Sequence, residues 1–384
     1  MKILFICLFP IEANNSAMMR NLALVNGLIS NSCQVDFVTI PPSKNVQAVN
    51  KSDNFEGINI VRLKGNDLYN AVTSVKGNKN SVLKNLTISV LRKVYHKFSI
   101  FHYTLKIAKH IDIGILNSQE YDLVISSSDP KTAHITAINL IKQGLKYKKW
   151  IQYWGDPMAM DITNHSIYPN FYLRNIEKSL LKDADHIIYV SPCTYEAQKK
   201  AFPDLAKKMT FVPIPFREGK IYPEVKKDRF LIGYFGAYMK ISRNIEPLYN
   251  TCDSLNQDVE LIIMGETDCS FETKENISIF PRGDASEYEA KSDLLVCVLN
   301  KSGTQIPGKI YHYAATNKPI LIILDGENKE TIREYLEPYN RYVFCNNNED
   351  EINWAIKEIK EQTVQYEPCE AFDSKIIARR ILKL

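Results

Sequence analysis

Apolar positions along this chain fall into short continuous runs, separated by longer stretches in which apolar residues recur with a helical period. The runs in the first half are "KILFICLF" (2–9), "QVDFVTI" (34–40), "INIVRL" (58–63), "DLVISSS" (122–128), "KWIQYW" (149–154), "HIIYVS" (186–191) and "MTFVPI" (209–214). Amphipathic segments such as "SAMMRNLALVNGLIS" (16–30) lie between most of them. Short strands apolar on both faces, alternating with helices, predict a parallel, doubly wound α/β sheet. A polar bridge, "FREGKIYPEVKKDR" (216–229), interrupts the pattern. It then restarts with "FLIGYFG" (230–236), "ELIIMG" (260–265), "ISIFP" (277–281), "DLLVCVL" (293–299), "PILIIL" (319–324) and "YVFCN" (342–346). Two Rossmann-like domains follow, over 1–215 and 230–368, with an amphipathic basic helix in "AFDSKIIARRILKL" at the end. A length of 384 residues suits two cores better than one.

Composition adds limits. No apolar run reaches the roughly 20 residues of a membrane-spanning helix. "MKILFICLFP" is followed at once by Glu12 and polar residues, so it reads as a buried first strand and not as a signal peptide. The eight cysteines show no metal spacing, and Cys7, Cys297 and Cys345 sit in strand-like runs, as small hydrophobes of a reducing, cytoplasmic compartment do. The net charge of +4 hides an asymmetry. Residues 1–215 carry 26 basic against 16 acidic side chains, and residues 216–384 carry 22 against 28. The halves are expected to meet different partners.

Doubly wound sheets bind ligands beyond the carboxyl ends of their strands, and two such domains in tandem point to the cleft between them. The loop "GYFGAYMKISRNIEPL" (233–248) offers Gly236 for close approach and Lys240 and Arg243 as cations for a diphosphate. The stretch "GTQIPGKIYHYAATNKPIL" (303–321) predicts a helix capped by Thr304, with Pro307 in its first turn and Lys309, His312 and Thr316 on one face. Either loop alone reads equally as a solvated surface.

Taken together these stretches resemble the second domain of GT-B glycosyltransferases, most nearly the retaining group numbered family 4. There a glycine-containing loop with basic residues and a later "P-x-K-x-x-E-Y-x-A-x-G-K-P" segment hold the nucleotide-sugar donor. "YDLVISSSDP" (121–130), "WIQYWGDP" (150–157) and "IEKSLLKDADHIIYVSPCTYE" (176–196) extend the resemblance into the first domain. The resemblance implies a GT-B fold in which residues 369–384 return to the N-terminal, acceptor-binding domain. It implies that Lys240, Arg243 and Lys309, with the amides near Gly308, hold a diphosphate. Pro281 and Arg282 would meet the base, and Gly265 and Glu266 would border the nucleotide. Asn14, Asn15, Ser128 and His134 would line the acceptor side. Asp129 and Asp156 would stand near the chemistry with Lys309 and Arg243. His312 occupies the position of a glutamate that grips ribose hydroxyls in that family; Thr304, Ala237 and Asn317 also depart from its pattern.

The function so implied is transfer of a sugar from a nucleotide-diphosphate sugar to a glycan or a polyprenyl-diphosphate-linked acceptor, as in bacterial surface-polysaccharide assembly. The reaction would be retaining and would need neither a cofactor nor a metal. The alternatives are a GT-B nucleotide-sugar epimerase and a non-catalytic partner protein of the same fold. One further region bears on the acceptor. From Leu68 through Ile111 no acidic residue occurs, while Lys76, Lys79, Lys84, Arg92, Lys93, Lys97, Lys106 and Lys109 alternate with aromatic and aliphatic residues. A basic amphipathic insertion of this kind, about 68–111, predicts contact with an anionic membrane surface at the cytoplasmic face. No nucleic-acid-binding module signature is present.

Overall fold

A computed structural model of the chain describes residues 1–13, 15–42, 55–65, 94–95, 97–118, 120–162, 164, 166–224, 227–362 and 364–384. The chain divides into two compact units, one formed by residues 1–213 together with 374–384 and the other by residues 214–373.

Seven parallel strands build the sheet of the first unit: β1 (Lys2–Ile6), β2 (Gln34–Thr39), β3 (Ile58–Arg62), β4 (Glu120–Ser127), β5 (Lys146–Trp154), β6 (His186–Tyr189) and β7 (Met209–Phe211). Their order is β3-β2-β1-β4-β5-β6-β7. The connecting helices are α1 (Ser16–Ser30), α2 (Leu105–Lys109), α3 (Thr132–Lys142), α4 (Asn170–Leu181) and α5 (Pro192–Ala201). The central strands are buried on both faces, as their unbroken apolar runs require. Helix starts follow local chemistry. The Asn15 side chain accepts from the Met18 amide at 2.8 Å to cap α1, and Ser191 caps α5 ahead of Pro192 in its first turn.

The second unit has six parallel strands: β8 (Phe230–Phe235), β9 (Val259–Met264), β10 (Ile277–Phe280), β11 (Leu294–Val298), β12 (Ile320–Leu324) and β13 (Val343–Asn346), ordered β10-β9-β8-β11-β12-β13. Its helices are α6 (Glu246–Ser254), α7 (Ser286–Lys291), α8 (Lys309–Tyr313), α9 (Lys329–Leu336) and α10 (Glu349–Glu361). Every residue of β11 and β12 is buried.

The last helix, α11 (Ser374–Leu382), packs on α1 within the first unit. Contact is close enough that a Cβ on Gly27 would lie 2.0 Å from the Ser374 carbonyl oxygen. Asn31 completes the junction by donating to the Lys375 carbonyl at 2.9 Å. Among the described residues no helix is long and apolar enough to cross a membrane, and all eight cysteines are free.

Candidate functional site

Strand order reverses direction between β1 and β4 in the first unit and between β8 and β11 in the second. Loops diverge at such points and open a crevice beyond the strand ends. In both units an arginine bridges the reversal. Arg20, on the helix after β1, donates to the Ser128 carbonyl after β4. Arg243, in the loop after β8, donates through Nη2 and Nε to Asn300 Oδ1 after β11, at 2.6 and 3.2 Å.

Around Arg20 the first unit gathers an unusual density of charge. Its guanidinium lies over the Tyr153 ring, 5.2 Å from the centroid. It occupies the space a side chain at 155 would need, since a Cβ on Gly155 would lie 2.2 Å from Arg20 Nη1. The loop after β4 presents Asp129, whose carboxylate accepts from Lys131 Nζ at 2.7 Å; the same ammonium reaches Asp161 at 3.3 Å. Asp156, after β5, is a third carboxyl in this cluster. Burial, joined by the negative charge of Asp129 and Asp161, pushes Asp156 up to about 7. Asp129 moves the other way: burial opposes its ionisation, but Lys131, Arg20 and a hydrogen bond from Asp156 hold it below the usual carboxylate range. Burial would also lower Lys131, yet Asp129, Asp161 and Asp156 raise it well above the ordinary lysine value. The arrangement is a carboxyl pair with opposed shifts: Asp129 holds charge and Asp156 exchanges a proton near neutrality. Glu177 steadies the segment beyond it. Its carboxylate accepts from the amides of Met158 and Ala159 at 2.9 and 3.0 Å and from Gln198 at 3.3 Å.

The second unit positions its cations through backbone geometry and one buried glutamate. Residues Met239 and Arg243 exchange backbone hydrogen bonds at 2.9 and 3.1 Å, closing the loop after β8. The Arg243 side chain also donates to the Ala237 carbonyl at 3.1 Å. Space beside Gly236 is open: a Cβ there would approach only Tyr234 Oη and Arg243 Nη1, at 3.9 and 4.0 Å. Gly265, by contrast, is required by packing, because a Cβ on it would lie 1.9 Å from the Gly236 carbonyl. Lys240 is exposed, with its amide donating to Asp268 at 3.0 Å. Glu289, from α7, accepts from Lys309 Nζ at 2.6 Å and meets His312 Nε2 at 3.0 Å. The Glu289 side chain is only 4% exposed, against 33% for Lys309 and 27% for His312. Burial alone would raise Glu289; the hydrogen bond to His312 and the charge of Lys309 outweigh it and hold the carboxyl far below its usual range.

Several expected placements differ. Thr304 does not cap a helix. The helix begins only at Lys309, with Gly308 as its cap, since Pro307 and the loop before it run non-helically. His134 is not an acceptor-side residue but a core one. It is fully buried, stacked on Trp154 at 4.4 Å between centroids, and bonded to Ser126 Oγ at 2.8 Å. Burial pushes its imidazole down to about 3, which leaves it neutral. The Asn15 side chain is engaged in capping α1. Ser128 is buried, and its Oγ accepts from the Gly155 amide at 3.3 Å, tying the loops after β4 and β5. Pro281 and Arg282 are exposed after β10, with Arg282 reaching Glu266 at 3.4 Å. Asn14 and residues 66–93 lie outside the described residues, as does His96.

Sequence reasoning missed Arg20, Lys131, Asp161, Glu289 and Asn300. Only Lys131 carried a local signal, standing two residues after Asp129 in "SDPK". The others act through partners distant in the chain, as with Glu289 and Lys309, twenty residues apart. Among the described residues no cluster of three His, Cys, Asp or Glu side chains is placed to hold a metal ion.

No protein-family model matches the sequence, and no curated protein matches it. Solved structures do resemble it over its whole length. Sucrose-phosphate synthase from Thermosynechococcus elongatus aligns with a TM-score of 0.58 at 15% identity, covering 100% of this chain and 94% of that one. A glycosyltransferase from Rickettsia africae ESF-5 aligns at 0.57 and 13%, covering 100% and 97%. The catalytic domain of starch synthase IV from Arabidopsis thaliana, bound to ADP and acarbose, aligns at 0.56 and 9%, covering 100% and 99%. At these identities the likeness is one of fold. Two parallel α/β units of seven and six strands, matched in full by these enzymes, give the chain the GT-B fold.

Proposed function

We propose that this protein is a glycosyltransferase that moves a sugar from a nucleotide-diphosphate sugar to a glycan or polyprenyl-diphosphate-linked acceptor at the cytoplasmic face of the membrane, within the family 4 type. The observation that carries the reading is Arg243. The side chain is fixed by Asn300 and by the Ala237 carbonyl at the strand-order reversal of the second unit, beside the open backbone of Gly236. Two anionic phosphates need cations held in place before they arrive, and this position supplies one. Lys240 and Lys309, with the amides near Gly308, complete the diphosphate contacts. Residues 280–282 meet the base, Gly265 and Glu266 border the nucleotide, and His312 serves a ribose hydroxyl. A same-fold enzyme whose structure holds ADP is consistent with this assignment.

In the transfer, the bond from the sugar's anomeric carbon to the donor phosphate breaks and a bond to an acceptor hydroxyl forms. Negative charge grows on the departing phosphate and is met by Arg243, Lys240 and Lys309. In a retaining reaction the leaving phosphate takes the hydroxyl's proton. The Asp129–Asp156 pair favours a second reading, an inverting reaction, because Asp156 is a carboxyl that can accept that proton near neutral pH.

A thermal-shift screen against UDP- and GDP-sugars, followed by turnover assays, tests the proposal, since a bound donor stabilises the fold by mass action. Nucleotide release only in the presence of acceptor supports transfer. Sugar isomerisation without acceptor would identify an epimerase, and binding without release a non-catalytic partner. The anomeric configuration of the product, read by NMR, separates the retaining from the inverting reading.

A further inference from the structure

Within the described part of the basic insertion, Lys97 and Phe98 meet a second segment of the first unit at its surface. The Ile167 amide donates to the Lys97 carbonyl at 3.0 Å, and Tyr168 Oη donates to the Phe98 carbonyl at 3.1 Å. These bonds place Phe98, 56% exposed, beside Ile167, 52% exposed. Tyr168 packs on Tyr172 with ring centroids 5.6 Å apart, and Phe171, at the start of α4, is 69% exposed. Val94 and Ile162 are exposed as well. Large apolar side chains so open to water, drawn from two chain segments and pinned together by hydrogen bonds, mark a surface that something covers.

Charge identifies the occupant. From Ile162 through Lys182 the acidic residue is Glu177 alone, and it is buried against the Met158 and Ala159 amides. On α4 the solvent-facing side chains after Phe171 include Arg174 and Lys178, the latter paired with Asp204 at 2.7 Å. The described residues of the insertion, from Val94 to Ile111, include Lys97, Lys106 and Lys109 and no acid. Aromatic rings at the tip of a helix, with Lys97 and Arg174 exposed beside them, are the pattern of a surface seated in the headgroup layer of an anionic bilayer. A second copy of the chain would meet the same cations with its own and be repelled.

We propose that Phe98, Ile167, Phe171 and Tyr172 form an insertion patch by which the first unit docks on anionic lipid, with Lys97 and Arg174 contacting the headgroups. The patch deepens the membrane part of the proposed function by naming its contact residues. Its test does not depend on sugar transfer.

The full-length protein is co-sedimented with phosphatidylcholine vesicles and with vesicles in which part of that lipid is replaced by phosphatidylglycerol. Binding is expected to the anionic vesicles only, and to fall about tenfold or more for Phe98→Ser/Phe171→Ser and again for Lys97→Gln/Arg174→Gln. Both pairs are on the surface, so their melting temperatures should match the parent's. As a second readout, Phe171→Trp should shift its fluorescence to shorter wavelength with anionic vesicles and be quenched by brominated lipid. Equal binding to neutral vesicles, unchanged binding after the Phe substitutions, or a dimer in sedimentation velocity that Phe171→Ser dissociates would each overturn the proposal. Vesicle binding without transferase activity would instead leave the patch standing and sink the enzymatic reading.

Discussion

Glu289→Gln is the substitution whose consequence can be worked furthest from the geometry. The wild-type carboxylate receives Lys309 at 2.6 Å and His312 at 3.0 Å from a nearly sealed position. Glutamine is isosteric and keeps one oxygen, so it retains a hydrogen bond to Lys309 but loses the charge that two neighbours share. Breaking a fully buried ion pair costs about 3–5 kcal/mol. Here both partners are about one-third exposed, and solvent screens the Lys309 charge left behind. The expected loss is therefore about 2 kcal/mol. Acid should reveal its origin. The folded-state pKa of Glu289 is depressed, so its contribution is present above the unfolded value of 4.5 and is lost as pH falls toward the folded one. The stability gap between parent and variant should be full at pH 7 and close steadily below about pH 4.5. Because the chain has two units, a single global transition is not assumed. Urea unfolding is followed by hydrogen exchange on peptides from residues 286–313, where a shift of about 1 M in midpoint is expected at neutral pH. A gap that stays constant from pH 7 to pH 3, or a variant as stable as the parent, would show that the carboxylate does not carry charge for its neighbours.

Three further outcomes follow from the same kind of argument. Asp156→Asn should lower turnover by about 10²–10⁴ if Asp156 moves the acceptor proton. It should also stabilise the protein at pH 8: a carboxyl raised to about 7 makes folding less favourable as pH climbs from the ordinary carboxylate range to that value, so the advantage should vanish near pH 4. Arg243→Ala should abolish the donor-induced thermal shift and reduce transfer by about 10²–10³, while its lost bonds to Asn300 and Ala237 lower the unliganded melting temperature by a few degrees. Gly155→Ala should destabilise the first unit by about 1–3 kcal/mol by displacing the Arg20 guanidinium. Combining it with Arg20→Ala should cost less than the sum of the two single changes, measured as a double-mutant cycle in chemical denaturation.

The thirteen strands among the described residues were legible because each is an apolar run of strand length between helical repeats, and sheets buried on both faces leave no other reading of "DLLVCVL" or "PILIIL". The loop after β8 was partly legible as a loop, since Gly236 and Arg243 lie seven residues apart between β8 and α6. What escaped was long-range. Nothing in "SEYEAK" indicates that Glu289 turns inward to meet Lys309, because burial of one glutamate is decided by packing of α7 and not by its local pattern. His134 misled for the converse reason: a histidine near a promising aspartate looks reactive in a sequence, but its helix buries it under Trp154. Thr304 had the chemistry of a cap without the backbone course that would let it act as one.

Helix α11 finishes the first unit with residues that follow the whole of the second in the chain. During synthesis, α1 must therefore wait with its Gly27 face unpartnered while about 160 residues of the other unit emerge and fold, a delay of many seconds at the usual 5–20 residues per second. A chain halted just before Ser374 would carry a second unit complete in sequence and a first still open along one helix, a natural handle for quality control.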